Sequence, residues 1–412
     1  MSAPPIAVIG AGAAGLVAAI FAAGGSRRVV LLESTADGGR KILISGGGRC
    51  NILPEAIDPS RFVTDSSPRL LRRLLLAWPL AEQRRFFETD LDLPLALERE
   101  SGKLFPASNR ARDVRDALRR EAVRRGVEFR GGSRVVDLVP RQGSGWTLRV
   151  AGGDGIEASA VVLATGGLSV PKTGSDGAGL AIARRLGHTI HPPYPALTPL
   201  VAQPHRFAHL AGVSLPVTLS APVGRREIVV NGGFLFTHRG YSGPAILDLS
   251  HLAVRSRLDG GAPQAIFVQW AELDATGWDA ALRAGRGPVG ALLRRRLPAR
   301  LGEALLGEAG LDPARSVAQL RREERARLVE VLARYLLPWT GDEGYRVAEV
   351  TGGGVALEEV DARTLESRRR PGLHLCGEIL DAFGPIGGHN FAWAWSTGRA
   401  AGLGVRERTS TN

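Results

Sequence analysis

A glycine-rich turn near the start of the chain constrains the fold more than any other feature. The sequence Gly10-x-Gly12-x-x-Gly15 follows the apolar segment Ile6 to Ile9, opens a helical stretch, and leads to a second apolar segment at Val29 to Leu32. In such a turn the first glycine permits a tight bend, the second lets the backbone approach a pyrophosphate, and the third lets the helix pack against the strand. The order predicts a parallel strand–helix–strand unit that binds a dinucleotide.

The residues after the second strand favour FAD over NAD as that dinucleotide. Glu33 ends the strand 18 residues after Gly15, where a carboxylate can accept hydrogen bonds from the adenosine ribose. The segment Ser45 to Asn51 contains three successive glycines, whose bare backbone suits the approach of a large flat ring. Arg49 in the same segment is a candidate to balance phosphate charge.

The C-terminal region predicts the other half of the same site. A strand at Gly372 to Cys376 runs into Gly377-Glu378, and a helix opens after Gly387-Gly388. The positive end of that helix dipole would favour the anionic form of a reduced flavin. Asp381, between the two, is a candidate to hold ribityl hydroxyls. We therefore expect the two ends of the chain to build one FAD site.

Composition indicates a cytoplasmic protein with a basic surface. The chain carries 53 basic and 41 acidic side chains, a net charge of +12, and nearly all the basic residues are arginine. Its two cysteines, Cys50 and Cys376, form neither a disulfide framework nor a Cys-x-x-Cys motif, so no metal site is predicted. Residues 6–25 form an uncharged run, but five glycines interrupt it and no basic residue precedes it. We expect neither a membrane span nor a secretion signal.

The pattern along the chain predicts a discontinuous first domain. Residues 1–190 and 345–412 carry the glycine-rich turns and are expected to form an α/β, Rossmann-like FAD-binding domain. Prolines and short alternating segments indicate a β-rich insert at 191–285. Leucines at helical spacing indicate a helical insert at 286–344, with helix expected from 288 to 337. Strands in the β-rich insert are expected at 213–219, 226–230 and 265–270.

Six longer blocks resemble one known family. They are GRKILISGGGRCN at 39–51, ESGKLFPASNRARDV at 100–114, TGSDGAGLAIARRLGH at 173–188, GFLFTHRGYSGPAILDLS at 233–250, EVTGGGVALEEVD at 349–361 and GLHLCGEILDAFGPIGGHNFAWAWSTGRAAG at 372–402. Over nearly the whole chain the sequence resembles the YhiN/BaiN-like, or aminoacetone-oxidase-like, FAD-binding flavoproteins. The resemblance implies a Rossmann-like FAD-binding domain built from both chain ends, with inserted β-barrel-like and small helical domains.

The resemblance also implies a set of FAD contacts. They lie in the dinucleotide turn, the second glycine-rich segment, the end of a middle strand and the C-terminal turn. The expected cofactor-binding residues are Gly10, Gly12, Ala13, Ala14, Gly15, Glu33, Ser34, Arg40, Lys41, Ser45, Gly46, Gly47, Gly48, Arg49, Cys50, Asn51, Val135, Ala164, Thr165, Gly166, Gly167, Gly377, Glu378, Asp381, Gly387, Gly388, His389, Asn390 and Phe391.

The resemblance implies a reaction as well. It is the reduction of a conjugated C=C bond by hydride from flavin N5, with NAD(P)H as the suspected transient donor. Substrates proposed for the family include bile-acid enones and uridine in ribosomal RNA. Two residues beside the expected flavin depart from the family pattern: His389 stands where tyrosine is frequent, and Phe383 where an acidic or small residue is frequent. Because of these two departures, the sequence does not identify the substrate.

Four residues are candidates for the proton donor. Arg49 would lower the pKa of Cys50, and His389 belongs to a residue type that titrates near neutrality. His238 and Tyr241 lie in the β-rich insert. Each has a structural alternative: Cys50 as a small buried thiol, His389 as a helix cap, and the block containing His238 and Tyr241 as a turn.

Arginine clusters in the sequence are relevant to whether the protein binds a nucleic acid. They occur at 112–125, 294–300 and 321–327. Such clusters can contact phosphates, although interspersed Asp and Glu equally suit solvated helix faces. Three functions follow: a flavin-dependent reductase acting on structured RNA, a flavin-dependent reductase or oxidase of a small metabolite, and a non-catalytic FAD-containing module that binds RNA or protein.

Overall fold

A computed structural model describes residues 3–410 and divides the chain into two compact units. The first unit contains the chain up to Tyr194 and again from Val350 onward, and the second contains Pro195–Glu349. The expected inserts at 191–285 and 286–344 both overlap the second unit. Their separation into two domains stays a prediction.

The described residues form the following strands and helices, numbered in chain order. The strands are β1 (Ile6–Ile9), β2 (Val29–Leu32), β3 (Leu53–Pro54), β4 (Leu95–Glu98), β5 (Lys103–Pro106), β6 (Glu128–Arg130), β7 (Val135–Pro140), β8 (Trp146–Val150), β9 (Ile156–Ala158), β10 (Ala160–Leu163), β11 (Ile190–Ala196), β12 (Leu200–Val201), β13 (Ser214–Val223), β14 (Arg226–Phe236), β15 (Gly240–Ser242), β16 (Phe267–Gln269), β17 (Tyr335–Leu336), β18 (Gly341–Asp342), β19 (Val350–Val355) and β20 (Leu373–Leu375). The helices are α1 (Ala13–Ala22), α2 (Arg40–Ile44), α3 (Pro68–Leu75), α4 (Leu80–Arg85), α5 (Ala111–Arg124), α6 (Ala178–Arg185), α7 (Pro244–Leu258), α8 (Ala275–Ala284), α9 (Val289–Leu293), α10 (Ala299–Glu308), α11 (Arg322–Ala333) and α12 (His389–Ser410).

A five-stranded parallel sheet forms the centre of the first unit, in the order β20-β10-β1-β2-β6. Ile6 of β1 stands opposite Val29 on one side and Ala160 on the other. Every residue of β1, β2 and β10 is buried, as is typical of parallel strands covered on both faces. The predicted strand–helix–strand unit and the α/β, Rossmann-like fold class are confirmed.

The last helix, α12, lies directly against α1 because two glycines remove the side chains between them. A Cβ atom at Gly398 would lie 2.5 Å from the carbonyl oxygen of Ala14, and one at Gly402 would lie 2.4 Å from that of Ala18. Residues four apart share one helix face, so the two glycines form a single contact surface. This packing holds the C-terminal segment beside the N-terminal turn.

A seven-stranded antiparallel sheet forms the framework of the second unit, in the order β17-β16-β13-β14-β15-β12-β18. The strand expected at 226–230 continues to Phe236, because its pairing with β13 extends through Gly232 and Gly233. The sequence did not indicate this extension, since glycine is unfavourable inside a strand. The strand expected at 265–270 is shorter, since the Trp270 backbone N–H leaves the sheet to bond the Leu332 carbonyl. The stretch expected to be helical at 288–337 contains α9, α10, α11 and, at its end, β17.

The uncharged N-terminal run at 6–25 forms β1, the glycine turn and α1. Among the helices of residues 3–410, none combines the length and the apolar character needed to cross a bilayer.

Candidate functional site

The three glycines of the dinucleotide turn differ in why a side chain is absent at each position. Gly10 has a φ of +98°, and a Cβ there would lie 2.5 Å from the Ala164 carbonyl oxygen. A Cβ at Gly15 would lie 1.8 Å from the Gly10 carbonyl oxygen. Gly12, in contrast, has an ordinary φ of −78° and no atom within 4 Å of an added Cβ. Packing requires Gly10 and Gly15, whereas Gly12 leaves open space at the start of α1.

Glu33 is fixed beside this turn. One carboxylate oxygen accepts a hydrogen bond from the Ala11 N–H at 2.7 Å. The other accepts from the Thr35 N–H at 2.8 Å and the Thr35 hydroxyl at 2.7 Å, with Ser34 at 3.2 Å. The side chain is buried. Glu33 therefore holds the turn together and is already oriented before any ribose arrives.

The second glycine-rich segment leaves its backbone bare. Gly46 and Gly47 both adopt the left-handed conformation. An added Cβ at Gly47 would meet nothing within 4 Å, and one at Gly48 would meet only the Leu43 carbonyl oxygen at that limit. The segment thus offers exposed peptide groups to a ligand, as its sequence indicated.

Arg49 and Cys50 do not interact as expected. Arg49 donates to the carboxylate of Glu98 at 3.0 Å and lies over the Phe105 ring at 4.0 Å. Cys50 is fully buried, and burial raises the pKa of its thiol to about 12. The expectation that Arg49 lowers the pKa of Cys50 is wrong, because the cation is held elsewhere and burial disfavours the thiolate.

Three turns meet at the carboxyl edge of the parallel sheet. β1, β10 and β20 are neighbouring strands, so Gly10, Ala164 and Gly377, which lie just beyond their carboxyl ends, stand close together. A Cβ at Gly377 would lie 2.7 Å from the Ala14 Cβ. Ligands of open α/β sheets bind at this edge. Val135 starts β7 in a separate three-stranded sheet, and its expected contact with FAD stays a prediction.

Buried polar groups hold the C-terminal segment in position through hydrogen bonds. Asp381 is buried, and its Oδ2 accepts hydrogen bonds from the N–H groups of Asp65 and Ser66 at 2.9 and 2.8 Å and from the hydroxyls of Thr64 and Ser66. Asp381 therefore anchors the 64–66 turn. Its expected contact with ribityl hydroxyls stays a prediction.

The first turns of α12 adjoin the same edge. Gly388 has a φ of +93°, and an added Cβ would lie 2.6 Å from the Leu53 carbonyl carbon. Asn390 accepts from the Gly384 N–H at 2.8 Å and donates to its carbonyl at 2.9 Å. The indole N–H of Trp393 donates to the Gly377 carbonyl at 3.1 Å, and that of Trp395 to the Ile52 carbonyl at 3.0 Å. Both tryptophans are buried inside the protein.

A network around Glu378 joins the expected cofactor-binding segments. Lys41 contacts Glu378 and Ser169, and Thr351 also donates to Glu378. Ser169 and Thr351 were not identified from the sequence. Both lie in glycine-rich blocks, GGLS and TGGG. A small hydroxyl residue within such a block was the only sequence feature that could have pointed to them.

The remaining proton-donor candidates occupy three different environments. Burial lowers the pKa of His389 to about 4, so the residue is neutral at physiological pH and its Nδ1–H donates to the Ile386 carbonyl. Tyr241 is fully buried among Phe234 and Phe236, and burial raises its pKa. His238 is exposed. The expectation that His389 titrates near neutrality is wrong, because the charged imidazole would lose its hydration.

The arginine cluster of α5 is only partly available to a polyanion. Arg115 is buried and pairs with Asp37 and Asp116, so its guanidinium does not contribute to a basic surface. Arg119 lies over the Phe129 ring at 4.7 Å. Arg112 and Arg120 are exposed on the same helix. In the second unit, the inserted helices pair several arginines with carboxylates, among them Arg294 with Glu303 and Arg325 with Asp279.

The low pKa of His389 predicts acid sensitivity. An unfolded histidine protonates near pH 6.5 and the folded one near 4, so the unfolded state binds more protons between these values. The free energy of unfolding should therefore fall as pH drops from about 6.5 to 4. His389→Gln should reduce the slope by up to about 1.4 kcal/mol per pH unit, measured by urea unfolding at several pH values. The exposed His238, changed to Gln, is the control. An unchanged slope in His389→Gln would contradict the burial argument.

The described residues fit FAD, the cofactor that the sequence family implies. Gly12, Gly47 and Gly48 supply open backbone, and the first turn of α1 supplies N–H groups without a side-chain cap. The orienting carboxylate of Glu33 lies at the same turn. Residues from both ends of the chain thus provide the elements that a dinucleotide site needs.

Comparisons with known proteins identify the family of this chain. The model of the family described as "HI0933-like protein Rossmann domain" matches residues 4–404. A 3-dehydro-bile acid delta(4,6)-reductase of Clostridium scindens is 33% identical over 411 residues, 98% of this chain and 99% of the relative. A ribosomal RNA dihydrouridine synthase of Escherichia coli is 35% identical over 399 residues, 95% of each chain.

A solved structure shows the fold at lower sequence similarity. The open conformation of a flavocytochrome c3 fumarate reductase is 18% identical, with a TM-score of 0.50, and the match covers 98% of this chain and 78% of that one. Because the family match spans nearly the whole sequence and the full-length relatives are enzymes, the alternative of a non-catalytic module is not retained. The chain belongs to the HI0933-like Rossmann family and is an FAD-dependent oxidoreductase.

Proposed function

We propose that this protein reduces the C=C bond of a uridine in ribosomal RNA, with NAD(P)H as the transient electron donor. The observation that carries the proposal is the similarity to a ribosomal RNA dihydrouridine synthase, 35% identical along 95% of both chains. The net charge of +12 supports a polyanionic substrate. Exposed arginines such as Arg112, Arg225, Arg295 and Arg322 remain available for phosphate contacts.

FAD, when bound, would supply the hydride that is added to the electron-poor carbon of the double bond. The chain's own residues bind and orient that cofactor. We assign Glu33 to the ribose, the turn at Gly12 to the pyrophosphate, and the open backbone at Gly47 and Gly48 to a flat ring. Burial raises the pKa of the Cys50 thiol and lowers that of His389, so at neutral pH the thiol is protonated and the imidazole is neutral.

Product analysis tests the proposal. The FAD-loaded protein is incubated with NADPH or NADH and with ribosomal RNA lacking dihydrouridine, and the digested nucleosides are separated by mass. We expect one uridine that is heavier by two hydrogens, with turnover that falls steeply as salt increases because phosphate contacts release counterions. RNA left unreduced with either donor, by protein whose flavin those donors do reduce, would refute the RNA substrate.

A small conjugated enone is the second candidate, favoured by the relative that is a bile-acid delta(4,6)-reductase, 33% identical over 98% of this chain. This substrate requires no phosphate contacts. Reduction of a steroid enone at a rate that ignores added RNA and varies little with salt would favour it over the RNA substrate.

A further inference from the structure

A half-buried ion pair joins two of the segments that build the flavin site. The Lys41 Nζ lies 2.5 Å from Oε2 of Glu378 and 2.5 Å from the hydroxyl of Ser169. That hydroxyl donates to Oε1 of Glu378 at 2.7 Å, and the Thr351 N–H donates to the same oxygen at 3.0 Å. Both carboxylate oxygens and the ammonium are therefore engaged within one cluster.

The position of the pair increases the electrostatic effect of its two charges. The exposed fractions are 24% for the Lys41 side chain and 19% for that of Glu378, and Ser169 is fully buried. Glu378 follows Gly377 in the turn after β20, at the carboxyl edge of the sheet. Lys41 lies in α2, directly before the bare glycine segment. Partial burial weakens solvent screening, so removing either partner leaves the other charge uncompensated near this edge.

We propose that Lys41 and Glu378 act as a charge-balanced positioning pair that sets the reduction potential of the bound flavin. While the pair is intact, the two charges largely cancel at the cofactor. Ser169 and Thr351 keep the carboxylate directed at the ammonium, which also ties α2 to the C-terminal segment. The proposal requires the FAD site and is independent of the substrate.

The sign of each single change follows from Coulomb's law. Reduction places electrons on the flavin, so an uncompensated carboxylate opposes it and lowers the midpoint potential. An uncompensated ammonium favours reduction and raises the potential. Lys41→Met and Glu378→Gln should therefore shift the potential in opposite directions, and the double variant should return close to the parent value. A purely structural contact would shift both single variants in the same direction and the double variant at least as far.

The test is a redox titration of the FAD-loaded protein without substrate, by slow anaerobic reduction beside a reference dye. The variants are Lys41→Met, Glu378→Gln and their combination. Arg84→Met is the matched control, because Arg84 pairs with Glu88 on the exposed helix surface at 2.9 Å and should leave the potential unchanged. FAD occupancy is measured first by absorbance. If Lys41→Met binds too little FAD, Lys41→Gln, which keeps a hydrogen-bond donor, takes its place.

Opposite shifts in the single variants, cancelled in the double variant, are the expected result. Shifts of the same sign, or potentials equal to that of Arg84→Met in both single variants, would overturn the proposal. Because neither RNA nor enone is present, these outcomes say nothing about the substrate. Conversely, failure to reduce uridine would leave the predicted shifts unaffected.

Discussion

Gly12→Val should abolish FAD binding while leaving the folded apoprotein almost as stable as the parent. The backbone at Gly12 has a φ of −78°, which valine adopts without strain, and no atom lies within 4 Å of the added Cβ. The new side chain would instead occupy the space at the start of α1 where a pyrophosphate approaches the backbone. We expect FAD affinity to fall at least ~100-fold, or about 3 kcal/mol.

Two measurements separate this effect from misfolding. Fluorescence titration gives the affinity for FAD, and urea unfolding of the apoprotein should change by no more than about 1 kcal/mol. Gly153→Val is the control, because Gly153 also has no atom within 4 Å and lies in the turn between β8 and β9, outside the site. Normal FAD affinity in Gly12→Val would mean that the dinucleotide does not pass over this turn.

Gly398→Leu should destabilise the fold and expel FAD together. An added Cβ would lie 2.5 Å from the Ala14 carbonyl oxygen, a backbone atom that cannot move without displacing α1. Overpacking of this kind costs about 1–3 kcal/mol or more, which exceeds the gain of about 0.8 kcal/mol from better helix propensity. Because α1 and α12 carry the two ends of the site, separating them should weaken FAD binding as well.

Gly307→Leu provides the matched control for this prediction. Gly307 lies on the exposed face of α10, and an added Cβ there would meet nothing within 4 Å. The same substitution should leave FAD binding unchanged and should raise stability slightly, through helix propensity alone. Thermal unfolding with absorbance at the flavin band reports both quantities. Equal stability of the two variants would show that α12 does not depend on close contact with α1.

The glycine turns could be predicted from the sequence because their chemistry is local. Gly10, Gly12 and Gly15 stand at a fixed spacing between a strand and a helix. Gly10 has a positive φ, Gly15 packs against the Gly10 carbonyl, and Gly12 leaves open space at the start of α1. The joining of the two chain ends was also predictable, since the C-terminal strand and its glycine turn repeat the same pattern. The strands of the second unit were located less well, because their ends are set by pairing with distant strands.

Charge states could not be predicted, because they depend on burial and on distant partners. Cys50 follows Arg49 in the chain, yet Arg49 pairs with Glu98 and the thiol is buried. His389 begins a helix that the sequence places correctly, but its neutral state follows from surrounding atoms. Arg115 lies at helical spacing from Arg112 and Arg119, which suggests a basic helix face, but its side chain is buried against Asp37. In each case the tertiary environment decides the chemistry.

We propose that a flavin held between the two ends of the chain reduces the C=C bond of a uridine. The most direct test uses FAD-loaded protein that has been reduced photochemically without oxygen, so that no nicotinamide is assumed, and mixes it rapidly with ribosomal RNA lacking dihydrouridine. We expect the flavin absorbance to return at a rate that increases with RNA concentration and the Gly12→Val protein to give no such signal. A reduced flavin that stays reduced in the presence of this RNA would contradict the account.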